Sequence, residues 1–595
     1  MQGPITMKLS DYIIQFLEEQ AVQEVFILPG GGWMHLLDSL GRAKKLHYTC
    51  MLHEQAAAIA AEASAQYNRH LGVAMVTTGP GGTNALTGVG AAWVDSTPLL
   101  VISGQVKTAD LIGKSHLRQK GAQEINIIDL VKPITKYAVT VTKANEIKYH
   151  LQRAVYEATH GKKGPVWLDI PLDIQAAQID EKKLKCFSAP VLQKDKNLSS
   201  KVAQVITHLN KAKRPLILAG NGIRLAGAKE IFLELINQLQ IPVLTTWKTI
   251  DLLPNDSPLY AGRPGSIATR GANFNLQRSD LLLCIGARLD FPQTAFNFKN
   301  FGKNAKKIIV DIDRAELNKF DIPTLGIQAD AKEFLEEFLK QSIKVTYANT
   351  SWLKNCKKML CKYPLVLSEF RKQKKYVNPY VLLEELSKNT TKNDVIVPGS
   401  SGACSEITCQ AFQIKEGQRF LNNQGFGSMG FGLPAAIGVA VESKKRTICI
   451  NGDGGLQLNI QELQTMQRLQ LPIKLFVLNN QGYGSIRNMQ NNHFAGHWVA
   501  SDGVENMTLP DIIKIAKAYG IPCERIANQM NLSNKIKKIL HTKGPFICDV
   551  LIDPKQQTMP RVSSQKLPNG KMISKPIEDM FPFLPEKEIE ENLKW

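Results

Sequence analysis

Short β-branched runs alternate with longer stretches of helical periodicity along this 595-residue chain, in three separate blocks. Such alternation builds parallel sheets with helices on both faces. The first block, residues 1–175, offers the strands EVFIL (24–28), GVAMVTT (72–78) and LLVISG (99–104). The second, 196–342, offers RPLILAG (214–220), DLLLCIGAR (280–288) and KKIIVDI (306–312). The third, 378–555, offers RTICING (446–452), IKLFVLNN (473–480) and PFICDVLI (545–552). The expected fold is therefore α/β, with three parallel-sheet domains, of which the first and third look alike in build. Gly and Asn end many of these strands, the place where open α/β sheets gather their ligands.

Between the blocks, residues 176–195 and 343–377 read as linkers, and 556–595 as an extended arm ending in a short helix. At the N-terminus, Ile13, Ile14, Phe16 and Leu17 give one helical face, with Ser10 as a candidate cap. With 44% apolar and 21% charged residues, the composition excludes collagen, general disorder and a disulfide mini-domain. No run is long and apolar enough for a transmembrane helix, and no secretory leader is read, so a cytoplasmic location is expected. Ten cysteines without a CxxC or a zinc spacing read as reduced thiols. The net charge of +20 would admit nucleic acid, but RKQKK (371–375) lacks interleaved aromatics and reads as solvated surface. Neither nucleic acid nor membrane is expected as a partner.

The chemistry concentrates in the third block. Asp453, in NGDGGLQL, follows one strand, and Asn480, in FVLNNQGYGSI, ends the next. One helix and a return strand fit between them, so both reach the same sheet edge. A carboxylate, an amide oxygen and a nearby carbonyl suit a hard divalent cation that also holds phosphates. Gly452, Gly454 and Gly455 let backbone approach a diphosphate, and the helix starts after them add N–H donors.

With this pair of motifs the chain resembles the thiamine-diphosphate enzymes, and among them the acetolactate (acetohydroxyacid) synthase group. The resemblance spans nearly the whole chain. It implies a pyrimidine-binding, a central and a diphosphate-binding domain. It also implies Mg²⁺ on Asp453, Asn480 and the Gly482 carbonyl. In LNNQGFGSMGFGLPAAIG (421–438), Met429 would wedge between the two rings of the cofactor. Gly402 would accept from the 4'-amino group, although its surroundings, Ser400 to Ser405, depart from the family pattern.

The first block carries CMLHEQAAAIAAEASAQ (50–66), an Ala-rich, tightly packed helix with Glu54 near its start. Read alone, Glu54 is either an N-terminal capping residue or a buried carboxyl that exchanges a proton. His53, Glu54 and Gln55 match the family pattern, which implies that Glu54 bonds the pyrimidine ring and activates the cofactor. The family's site lies between two chains, so a homo-oligomer, at least a dimer, is implied. Pro29, Gly30 and Asn84 are further cofactor-binding candidates, Gln105 a polar liner, and Gln123 a catalytic candidate.

In the second block, Gly286 and Arg288 at one strand end and Asp311 at the next are candidate nucleotide contacts, or ordinary strand-end turns. The resemblance implies FAD here, with no part in the ligation. It also implies decarboxylation of pyruvate and addition of the two-carbon unit to a second 2-keto acid. Met489 stands where the family's acceptor-selecting tryptophan would be, and Arg118 and Lys120 are basic. NNHFAGHWVASDG (491–503) is loosely similar to branches that use a nucleotide-linked keto-sugar as acceptor. That acceptor is the alternative.

Overall fold

A computed structural model describes residues 6–191, 195–319, 325–400, 402–502, 507–566 and 568–594. Ser401 and Gly503, within two of the motifs above, lie outside the described residues. Three six-stranded sheets dominate the molecule, and each is parallel throughout. The expected strands are present, within three residues at their ends. In GVAMVTT the strand stops at Val76 because Thr77 turns its hydroxyl to accept from the Gly32 N–H at 3.1 Å.

The first and third sheets share one strand order: second, first, third, fourth, sixth, fifth. The central sheet runs third, second, first, fourth, fifth, sixth, the order of doubly wound dinucleotide folds. Each order reverses beside its first strand, and a crevice opens there beyond the carboxyl ends of the strands. In the third sheet the reversal lies between Val395–Pro398 and Thr447–Gly452. In the central sheet it lies between Pro215–Ala219 and Leu281–Ile285. The motifs singled out above follow these very strands.

The first and third domains meet through the helix Glu54–Asn68. Its residues from Ala56 to Ala65 are buried all round, because alanines let neighbouring backbones come close. A Cβ on Gly438 of the helix Gly432–Ser443 would lie 2.2 Å from Ala60 O. A Cβ on Gly88 of the helix Pro80–Asp95 would lie 2.5 Å from the Ala58 Cβ.

Several expectations need correction. Ser10 lies inside the helix Leu9–Glu19, whose N-cap, Lys8, makes no side-chain cap. The Ser10 hydroxyl instead accepts from Ser39 at 2.8 Å. Within the first expected linker, Gln178–Ile179 pairs antiparallel with Met7–Lys8. The second linker contains the helix Thr350–Lys362, which buries Trp352 and Cys356 against the central domain. The Trp352 indole donates to Pro215 O at 2.9 Å. The C-terminal arm lies along the central domain, held by Asn273 to Ile577 O at 2.8 Å and Gln277 to Glu578 at 2.7 Å. It ends in the helix Glu586–Leu593. No described helix is long and apolar enough to cross a membrane.

Gly438→Ala should lower the melting temperature by the equivalent of about 1–3 kcal/mol, since the Ala60 carbonyl cannot move without shifting its helix. An unchanged thermal melt would show that the two helices can separate freely.

Candidate active site

Asp453 opens a one-turn helix directly after the strand Thr447–Gly452. The neighbouring strand Ile473–Asn479 runs parallel, with Gly452 level with Leu478, so Asn480 arrives beside Asp453. Asp453 is 3% exposed. Its carboxylate accepts from Gly454 N at 2.9 Å and Gly482 N at 3.1 Å. Burial pushes its pKa up to about 6, against the pull of those amides and of Arg487.

One end of the Asn480 amide stands 2.6 Å from Gly482 O and 3.3 Å from Asp453 Oδ1. With its nitrogen turned inward, the amide closes two hydrogen bonds. With its oxygen inward, three oxygens converge, which is repulsive unless a cation lies among them. This donor set, one carboxylate and two neutral oxygens, fits a Mg²⁺ that keeps water and phosphate ligands. Among the described residues no group of three His, Cys, Asp or Glu side chains competes for a metal.

The loop is built for this shape. Gly482 has φ +140°, and a Cβ there would come within 2.6 Å of Ser501 O. Buried Arg487 donates to Asn480 O at 2.6 Å and Gln481 O at 3.1 Å, pinning the turn. A Cβ on Gly454 would fall 2.4 Å from the Tyr483 ring. Gly452 and Gly455 have looser surroundings.

Gly402 and Met429 stand at the same end of the sheet. Gly402, with φ +68°, precedes the helix Ala403–Ala411 and faces Ser485. Met429 is half-buried in a turn held from both sides. Ser400 donates to Ser428 O, and Asn459 donates to Gly430 O at 2.9 Å.

Glu54 belongs to a separate cluster in the first domain. The capping reading goes to its neighbour: His53 Nδ1 accepts from Gln55 N at 3.0 Å. Glu54 is 6% exposed and accepts from Asn84 Nδ2 at 3.0 Å through Oε2, with Gly81 beside Oε1. The backbone of Gln123, at φ +62°, abuts Gly79 two residues before Gly81. Buried Glu124 folds the Gln123 loop by accepting from Gly121 N at 2.9 Å and Lys120 N at 3.2 Å. Pro29 and Gly30 lie where their strand meets Thr77, which leaves no room for a Cβ on Gly30.

Gln105 is not a liner: its amide donates to Asp169 at 3.1 Å and Ile125 O at 3.3 Å inside the domain. The Lys120 ammonium is tied to Ala109 O, whereas Arg118 is exposed.

Gly286, Arg288 and Asp311 line a single cleft of ≈ 1340 Å³, its mouth included, at the reversal of the central sheet. Val94 and Asp95 from the first domain and Gln424 and Gly425 from the third complete its walls. No motif or spacing points to the node behind it. Lys248 donates to Asp95 at 2.9 Å, Gln66 at 2.8 Å and Asn422 O at 2.6 Å, joining all three domains. Asn423 adds 2.6 Å to Asp95. Glu462 of the third domain likewise accepts from Leu52 N at 2.9 Å, just ahead of Glu54. These partners are scattered along the chain and follow no spacing.

Residues 7–130 match the N-terminal TPP binding domain of thiamine pyrophosphate enzymes, 202–338 the central domain, and 400–550 the C-terminal TPP binding domain. The chain belongs to the thiamine pyrophosphate enzyme family. It is 33% identical to a probable acetolactate synthase large subunit of Methanocaldococcus jannaschii, over 96% of this chain and 95% of that protein. It is 30% identical to the acetolactate synthase large subunit of Lactococcus lactis, over 93% and 94%. The acetolactate synthase isozyme 1 large subunit of Escherichia coli is also 30% identical, over 93% and 95%.

Next to the Lys248 node, Glu62 is fully buried, accepts from Thr97 at 2.8 Å, and has its pKa pushed up to about 7 by burial. A carboxyl whose pKa rises on folding stabilises fully below its unfolded value and loses that contribution as pH climbs through the folded value. Glu62→Gln should therefore gain stability relative to the parent between about pH 5 and about pH 8, by a few kcal/mol at most. Thermal melts across that range check this, and a constant difference between the two proteins would contradict it.

Proposed function

We propose that the chain is the catalytic chain of an acetolactate-synthase-like carboligase. It decarboxylates pyruvate and joins the two-carbon unit to the carbonyl of a second 2-keto acid. The observation that carries this reading is the convergence of the Asp453, Asn480 and Gly482 oxygens at the end of the GDG strand. The names of the relatives support the carboligase assignment.

Asp453, Asn480 and the Gly482 carbonyl would hold Mg²⁺, and Gly452, Gly454 and Gly455 the diphosphate. Gly402 and Met429 would border the rings. Bound thiamine diphosphate supplies a carbon nucleophile and an electron sink for the loss of CO₂. Glu54 is the proton-handling residue: Asn84 occupies Oε2, which leaves Oε1, beside Gly81, to take and return a proton. Gln123 lies by the same turn and would orient substrate. FAD fits the cleft of Gly286, Arg288 and Asp311, where it would do no net redox work.

A second copy of the chain would bring a Glu54 cluster to an Asp453 site. Exposed apolar side chains support this on both clusters: Met34 and Leu52 near Glu54, and Ile486, Met489 and Phe494 beyond Asn480.

Pure protein supplied with pyruvate, thiamine diphosphate and Mg²⁺ should form acetolactate. Glu54→Gln should slow this by about 100-fold or more with an unchanged melt. Asp453→Ala should abolish the Mg²⁺-dependent binding of the cofactor in calorimetry. Undiminished cofactor affinity in that variant would remove the metal assignment.

Met489 is 41% exposed, and methionine makes an adaptable wall. One methylene is worth only about 1–3 kcal/mol even in a shaped pocket. Competition between pyruvate and 2-ketobutyrate should therefore show no strong preference. Marked selection of 2-ketobutyrate would refute the Met489 argument. Faster addition to a keto-sugar nucleotide than to either acid would replace the acceptor assignment.

A further inference from the structure

Where the three domains meet, a second cleft of ≈ 490 Å³, mouth included, opens beside the flavin groove. The two share Lys163, Asn221, Leu225 and Lys248 in their walls. Five cationic side chains line the smaller cleft, Arg69, Lys163, Arg224, Lys248 and Arg419, and no carboxylate does. They come from all three domains. We propose that this cleft is a binding site for a phosphate-type dianion.

The nearby carboxylates are already engaged. Asp251 is shared between Arg224 at 2.7 Å and Arg419 at 2.9 Å. Asp95 accepts from Lys248 and Asn423. Glu62 accepts from Thr97, and Asp330 from Lys332 N at 2.8 Å. Arg419 spends its other donors on Tyr67 O at 2.7 Å and Gln66 O at 3.0 Å.

Three cations keep donors to spare. Arg224 is 8% exposed and gives one Nη2 bond to Asp251, and its remaining N–H groups have no partner among the described residues. None of these N–H groups is both sealed from solvent and unpartnered, so they open toward the cleft, where an anion can accept from them. The side chains of Arg69 and Lys163 likewise have no hydrogen-bond or ion-pair partner among the described residues. Burial holds the Lys163 ammonium below its usual range, Asp330 opposes this, and Arg69 adds to it. Burial acts on Arg224 in the same direction, Asp251 opposes it, and Arg419 and Arg69 repel it.

Arg69 is placed at the cleft by the end of the helix Glu54–Asn68. Arg69 ends its helix in the left-handed region, φ +69°, where glycine or asparagine is the comfortable choice. The chemistry recognised is a small dianion with several acceptor oxygens. It can be a free phosphate, or the phosphate of a dinucleotide lying in the adjoining groove. The proposal does not depend on the flavin assignment.

The test is calorimetric titration of the full chain with inorganic phosphate in a chloride-poor buffer. The comparison protein is the double variant Arg69→Asn/Lys163→Gln, in which Asn suits the left-handed position. Saturable binding should weaken about tenfold or more in the variant, and also on raising chloride. A thermal melt confirms that the variant folds, and Lys163→Gln alone should show a smaller loss in the same direction. Absence of saturable binding, or equal affinity in parent and folded variant, would overturn the proposal. Repeating the titration with saturating FAD separates the sources. Competition assigns the cleft to a dinucleotide phosphate, and simultaneous binding assigns it to a separate phosphate.

Discussion

The close packing of the helix Glu54–Asn68 sets the geometry of everything around it. Its alanines accept Gly438 from one side and Gly88 from another, at distances that exclude even a methyl group. That contact fixes the first domain against the third. It also sets the direction in which Glu54, at the first turn, faces Asn84. Small residues give little hydrophobic area each, but they allow backbone contact, which no mix of larger side chains reproduces. Glu462, accepting from Leu52 N, then holds the entry to this helix from the third domain.

The polar counterpart is the Lys248 node. An ammonium with three donors can meet three acceptors at once, and here they belong to the first and third domains while the lysine belongs to the central one. Taking these groups out of water costs free energy, so the node adds little net stability. What it does is select one arrangement of three domains, since removing Lys248 or Asp95 leaves the other charge unmatched and removing Gln66 leaves one ammonium donor unused. The cleft of Gly286, Arg288 and Asp311 and the basic cleft both lie against it.

Topology explains why the motifs act where they do. In each sheet the strand order reverses beside the motif loops: Gly402 with Asp453, Gly30 with Thr77, and Asn221 with Gly286. A reversal leaves neighbouring crossovers on opposite faces, so nothing fills the space between the strand ends. Glycines there carry positive φ or touch facing backbone, as Gly286 does against Gly222.

The sequence by itself determined the α/β class, the three blocks and the principal strands, because burial on both faces of a parallel sheet demands nearly continuous apolar runs. It also determined that Asp453 and Asn480 reach one edge, since parallel strands return every motif to the same end. Near helix starts it was less reliable: Ser10 resembled a cap, yet Lys8 holds that position. Gln105 looked like a liner because strand-end amides often are, but buried Asp169 claims it. Only the tertiary structure decided the helix Thr350–Lys362, the Lys248 node, the loop-folding role of Glu124 and the gathering of Arg69, Lys163 and Arg224. Those contacts join residues hundreds of positions apart, or loops without periodicity. Local pattern records which face of an element is apolar, not which distant side chain will meet a given charge once the faces are packed.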